Sequence, residues 1–286
     1  MIFTSREIGQ LRRLEILAAK VWKGEVRGER EVRRRGPGAG FREHRAYQEG
    51  DALRTIDWNV YARMRTLVVK EFDAEEALDV VLLVDRTRSM EGAAALCAAK
   101  VAAGLGAIAL SQLERVVLVS AGGPRPLPVE TFTGRARLPA LLEVAESGVG
   151  GGTDLLAAAR AGLPRRTRGA LAFVLSDFFD PKGATRALSY LLSRRCQARA
   201  LLIEDPARLA PPPLGRARLR DVETGAALKL DVTPAAVRAY VRAREARAEG
   251  LRAFCRRSGV GFLRVRADQP FFEIVRAAIA RGWLAP

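Results

Sequence analysis

Five oxygen-bearing side chains on three separate stretches have the types and placement needed to hold one hard divalent cation. They are Asp85, Thr87 and Ser89 in Asp85-Arg86-Thr87-Arg88-Ser89, Thr153 in Gly151-Gly152-Thr153-Asp154, and Asp177 in Ser176-Asp177. Mg²⁺ and Mn²⁺ take about six oxygen ligands, usually water among them, so carboxylates and hydroxyls from separate loops suit them. Taken singly, each residue has a plainer reading: Ser89, Thr153 or Asp154 as a helix cap, the aspartates as ordinary strand ends. Their order along the chain is what makes them a set.

The elements that must position them are legible. Asp85 and Ser176 each close a continuous apolar run, 80–84 and 171–175, the pattern of a strand buried on both faces. Strands at 78–85, 115–121, 170–176, 198–203 and 261–265 alternate with helices at 92–113, 138–145, 155–163, 185–193 and 271–279. That alternation predicts an α/β fold with a doubly wound, mostly parallel sheet. In such sheets ligands bind beyond the carboxyl ends of the strands, where Asp85 and Asp177 fall. A β-hairpin is expected across 216–232 around Glu223-Thr224-Gly225, then a long helix opened by Pro234.

Upstream, residues 1–77 read as an N-terminal extension to an α/β domain at 78–286. It has an amphipathic helix at 5–22, a basic Gly/Pro loop within 27–40, and a segment mixing charges with Phe41, Tyr47 and Trp58. These aromatics are expected to pack the extension onto the larger body, with Arg54, Asp57 and Arg63 as an alternative partner-facing patch. A strand is expected at 66–72.

The net charge of +16 over 286 residues directs attention to nucleic acid, but the arginines are dispersed among apolar and acidic residues and few aromatics accompany them. A solvated surface is the preferred reading, with nucleic-acid binding kept as an alternative. Cys97, Cys196 and Cys255 form no C-x-x-C pair, which fits a reducing cytoplasm rather than a disulfide framework or zinc site. No apolar leader is visible at the N-terminus, and the apolar stretch 92–110, with Lys100 in its middle, reads as a buried helix rather than a membrane span.

The order Asp-x-Thr-x-Ser, then Thr after glycines, then Asp after an apolar strand resembles the metal-ion-dependent adhesion site of von Willebrand factor A domains. The resemblance implies Thr87, Ser89 and Thr153 as direct ligands, Asp85 and Asp177 in the supporting shell, and an open position for a partner's Glu or Asp. Thr87 stands where that pattern usually has serine, and Arg86 and Arg88 bring positive charge nearby. The segments Arg45-Ala46-Tyr47-Gln48-Glu49-Gly50-Asp51, Arg54-Thr55-Ile56-Asp57-Trp58 and Ala62-Arg63, leading into Val84-Asp85 and Arg88-Ser89-Met90, are similar to the bacterial family called domain of unknown function 58. That resemblance implies an adaptor or co-chaperone paired with a MoxR-type AAA+ ATPase.

Catalysis is the rival class. His44 is the single histidine, no G-x-S-x-G elbow is present, and the Gly148–Gly152 run lacks a P-loop lysine. A Mg²⁺-dependent phosphoester hydrolase would want a second aspartate where Thr87 stands. The expectation is therefore a non-enzymatic interaction module.

Overall fold

Val80, Val81, Leu82, Leu83 and Val84 are all buried, as a strand covered on both faces requires. The computed structural model describes residues 3–22, 41–48, 56–72, 79–112, 114–122, 128–146, 154–163, 169–221 and 225–284. In chain order the elements are α1 (Ser5–Trp22), β1 (Phe41–Ala46), α2 (Trp58–Met64), β2 (Val68–Phe72), β3 (Asp79–Asp85), α3 (Ala93–Ser111), β4 (Arg115–Ala121), β5 (Val129–Thr133), α4 (Leu138–Glu146) and α5 (Leu155–Gly162). There follow β6 (Leu171–Ser176), α6 (Pro181–Ser193), β7 (Gln197–Glu204), α7 (Pro206–Leu209), β8 (Gly215–Arg220), β9 (Ala227–Val232), α8 (Pro234–Arg257), β10 (Gly261–Arg266) and α9 (Phe271–Ala280). The basic loop expected within 27–40, motif residues 49–55, Glu223, Thr224, and Gly151, Gly152 and Thr153 lie outside the described residues.

The chain forms two compact units, Met1–Glu31 with Leu78–Pro286, and Val32–Ala77. In the first, six strands lie in the order β10-β7-β6-β3-β4-β5, and every neighbouring pair is parallel except β4 with β5. This is the doubly wound, mostly parallel sheet expected from the sequence. Edge strand β5 was not foreseen because only Phe132 of its five residues is buried, so no apolar run announces it. Helix α6 begins earlier than its apolar pattern, because Asp180 accepts from the backbone N of Lys182 at 3.1 Å and Pro181 opens the first turn.

The strand pleat sends alternate side chains to two cores. Val80, Leu82 and Val84 join α1, α3, α4 and α9, while Val81 and Leu83 join α5, α6 and α8. Helix α3 is long and apolar enough to cross a membrane, yet most of that span is buried against the sheet, α1, α4 and α9. Its glycines allow this closeness: a Cβ on Gly106 would lie 2.5 Å from Leu141 Cδ2.

Lys100, the charge within α3, is answered by α1. Its Nζ lies 2.5 Å from Glu7 Oε1, and Glu7 Oε2 accepts from Thr4 N at 2.8 Å, while Glu7 N donates to Thr4 Oγ1 at 3.3 Å. Thr4 and Glu7 thus form a reciprocal N-terminal cap on α1. Burial alone would raise the Glu7 pKa, but the bonds from Lys100 and Thr4 outweigh it and hold the carboxyl below its ordinary value.

In the second unit, β1 and β2 pair antiparallel with Arg45 opposite Val69, and Ile56 bridges to Val69. Asp57 caps α2, accepting from Asn59 N at 3.0 Å and Val60 N at 3.3 Å. Trp58 is not a core residue, as expected from its type, but is 57% exposed, edge-on to Tyr61. It opens a seven-residue helix that has no buried residues.

Because the folded Glu7 pKa is depressed, its stabilisation is present above the unfolded value near 4.3 and lost as pH falls through the folded one. Glu7→Gln is expected to cost about 1–2 kcal/mol at pH 7, a gap that closes on acidification below about pH 4. Urea denaturation across that range measures it.

Candidate metal centre

The sheet order places β3 at a switch point. From β3 the chain runs outward through β4 to β5, then returns to β6 on the other side and continues to β7 and β10. The connection after β3 leads to α3 in one core and that after β6 to α6 in the other, so the two loops diverge and leave a crevice at the carboxyl edge. The β3–β6 register, with Val84 opposite Leu175, brings Asp85 beside Ser176 there.

Asp85 is fully buried. Its Oδ1 accepts from Thr87 N at 3.0 Å and its Oδ2 from Ser176 Oγ at 2.5 Å. Arg86 N donates to Ala121 O at 2.7 Å, which carries the β3–β4 ladder into the loop. Ser176 Oγ in turn accepts from Phe178 N at 2.9 Å, and Asp177 Oδ1 accepts from Phe179 N at 3.1 Å. Phe178, buried directly after Asp177, has φ of 50°, a left-handed conformation that costs energy for a bulky side chain.

The structure brings Asp85, Thr87, Ser89 and Asp177 to this edge, while Thr153 lies outside the described residues. Thr87 is buried, and its Oγ1 lies 2.9 Å from Ser89 Oγ. The capping alternative fails for Ser89, since the residue preceding α3 is Gly92; Thr87, for its part, makes no side-chain cap bond to the 3-10 turn Arg88–Met90. Asp154 does cap α5, accepting from Ala157 N at 2.8 Å.

The donor set fits a small hard cation. Oxygen ligands about 2.1 Å from Mg²⁺ at right angles stand about 3 Å apart, and the two hydroxyls already have that spacing. Among the described residues no three His, Cys, Asp or Glu side chains cluster, so the donor set rests on hydroxyls as much as on carboxylates.

Burial lifts the Asp85 pKa to about 6. The bonds from Ser176 and Thr87 oppose the rise, and the negative charge of Asp177 adds to it. Of the nearby arginines, Arg86 Nη2 donates to Ala145 O at 2.5 Å, and Arg247, whose charge interacts with Asp177, stacks 4.0 Å over the Phe179 ring.

Sequence reasoning missed three supporting residues. Ser176 appears there only as a strand end beside Asp177, yet it bonds Asp85. Arg208 donates from Nη1 to the carbonyls of Arg88 and Ser89 at 3.0 and 3.1 Å. Gly122, at φ 114°, has no Cβ to collide with the Arg86 and Thr87 backbone, which would be 3.1–3.3 Å away; its place just after an apolar strand is the one available signal. A cleft of about 290 Å³ adjoins the site, with Asp177, Phe178, Leu202, Arg247, Leu251 and Phe254 in its walls.

The family model described as "Protein of unknown function DUF58" matches residues 43–250. The chain belongs to the DUF58 family. Similar relatives are the uncharacterized proteins Mb1516 of Mycobacterium bovis and Rv1480 of Mycobacterium tuberculosis, each 31% identical over 290 residues, covering 96% of this chain and 90% of their own length. Among solved structures, the conserved hypothetical protein BatB of Bacteroides thetaiotaomicron is 14% identical with a TM-score of 0.44, covering 72% of this chain and 99% of that one. An aerotolerance-related membrane protein of Bacteroides fragilis is 16% identical with a TM-score of 0.39, covering 70% and 96%.

A carboxylate whose folded pKa is raised binds its proton more tightly when folded, so Asp85 lowers stability progressively as pH rises from about 4 to about 6. In metal-free buffer Asp85→Asn should be more stable than wild type at pH 7.5, by up to about 3 kcal/mol, with the difference closing near pH 4. Equal stabilities at pH 7.5 by urea denaturation would contradict this.

Proposed function

We propose that this DUF58 protein is a non-catalytic, metal-dependent protein–protein interaction module. Thr87 and Ser89 would hold Mg²⁺ or Mn²⁺, joined by Thr153 on the resemblance to metal-ion-dependent adhesion sites, with Asp85 and Asp177 in the supporting shell. The cation would supply a positive centre that accepts an acidic side chain of a partner. Burial of Thr87 and Asp85 limits access by bulk water, and the bonds from Ser176 and Arg208 fix the loop that presents the hydroxyls.

The observation that carries this reading is the hydroxyl pair at ligand spacing beside two carboxylates, at the switch point of the sheet. The described residues around it include no histidine, and the Ser176 hydroxyl that donates to Asp85 is itself buried, which favours recognition over phosphoester hydrolysis. On the family resemblance drawn from the sequence, the proposed partner is a MoxR-type AAA+ ATPase. The chain would serve it as a cytoplasmic adaptor or co-chaperone.

Calorimetry with Mg²⁺ and Mn²⁺ tests the site. Wild type should bind one ion, with affinity falling by about tenfold or more in Asp85→Ala and Ser89→Ala. Equal binding by all three proteins would remove the site. For the partner, a purified MoxR-type ATPase from the same organism should bind in Mg²⁺ and be released by EDTA.

A further inference from the structure

Between β7 and the last parallel strand, β10, the chain inserts α7, the β8–β9 hairpin and the first half of α8, which leave the sheet at the edge that carries the candidate metal centre. The insertion is tied to that centre at its base. Arg208 on α7 bonds the Arg88 and Ser89 carbonyls, and Tyr240 OH donates to Leu209 O at 3.3 Å.

Farther out it is poorly covered. Leu214, Leu219, Leu228, Tyr240 and Val241 are between 37% and 64% exposed. Strands β8 and β9 make their main contacts with each other, and a two-stranded ribbon of that kind is marginal in water. Helix α8 buries only Ala248, Leu251 and Cys255, all in its second half, and Arg264 bonds Glu245 at its middle.

The hairpin register sorts its side chains onto two faces. Leu219 lies opposite Leu228 and Ala217 opposite Leu230, whereas on the other face Arg218 lies opposite Lys229, with Arg216 opposite Asp231 and Arg220 opposite Ala227. Like charges placed directly across a ribbon destabilise it. Among the described residues of 214–242, Arg216, Arg218, Arg220, Lys229, Arg238 and Arg242 outnumber the carboxylates Asp221 and Asp231.

We propose that the hairpin and the first half of α8 are a second docking surface for a protein partner, which meets it with an apolar patch bordered by carboxylates. The partner's acids relieve the Arg218–Lys229 repulsion while its apolar patch covers Leu219 and Leu228. Nucleic acid would answer the cations alone, leave the leucine face in water, and find no aromatic side chain on either strand to stack on. This inference rests on the proposed protein–protein function and supplies the chemistry of the partner.

The test is photo-crosslinking in the source organism, with benzoylphenylalanine replacing Leu228 in the full chain and the same probe at exposed Arg256 as the control. A single protein adduct is expected from position 228, mapped by mass spectrometry to a segment in which Asp and Glu flank apolar residues. Arg218→Glu removes the like-charge pair, so the melting temperature should hold or rise while the adduct falls by about tenfold or more. An adduct on nucleic acid or on a second copy of this chain, none above the control, or one unchanged by Arg218→Glu overturns the proposal. Asp85→Ala separates it from the metal reading. Adducts at 228 that persist undiminished in that variant leave the hairpin surface standing and count against the metal, whereas metal-dependent ATPase binding without adducts does the reverse.

Discussion

Burial of the Asp85 carboxylate between two parallel strands is the constraint on which the rest of this site depends. An ionised carboxylate removed from water is costly unless donors replace the lost hydration. Here the donors are Thr87 N and Ser176 Oγ, one from the loop after β3 and the other from the end of β6. The second requires the β3–β6 register to be right to the residue, since a slip of one position would turn Asp85 away from Ser176. The two apolar cores hold that register from either side, and Gly122 lets the loop backbone settle against the end of β4.

Residues well placed to bind a ligand are often poorly placed for stability. The left-handed Phe178, the mutual bond of two hydroxyls, and two carboxylates near enough for one to raise the pKa of the other are concentrated at one edge. At the opposite end of the same strands a buried carboxylate is resolved differently: Arg115 grips Asp79 with two bonds of 2.5 Å. A full counter-charge makes that end structural. At the Asp85 end the donors are Thr87 N and Ser176 Oγ, neither of them charged.

The sheet was legible because its central strands are continuous apolar runs with few readings other than double burial. Strand β5 was not, since its single buried side chain leaves no period to detect, and β1 was hidden by the charges of Phe41-Arg42-Glu43-His44-Arg45-Ala46. Four of the five expected site residues converge, because strand ends and loop hydroxyls follow from the strand assignment. Ser176 and Arg208 escaped as supports, because their bonds join positions 91 and about 120 residues apart in the chain and depend on register, which a single sequence does not encode locally. Trp58 was misjudged from its type alone. The positive charge, read as dispersed, is partly absorbed by ion pairs such as Arg264 with Glu204 and Arg266 with Asp268; on the hairpin Arg218 faces Lys229 instead.

The most direct test of the account is a crystal structure with Mn²⁺, using anomalous scattering to place the ion. The account predicts one peak at the carboxyl edge, about 2.2 Å from Thr87 Oγ1 and Ser89 Oγ, with Asp85 and Asp177 facing it and the hydroxyls turned from each other to the ion. No peak at that edge at saturating Mn²⁺, with Thr87 and Ser89 still bonded to each other, would contradict it.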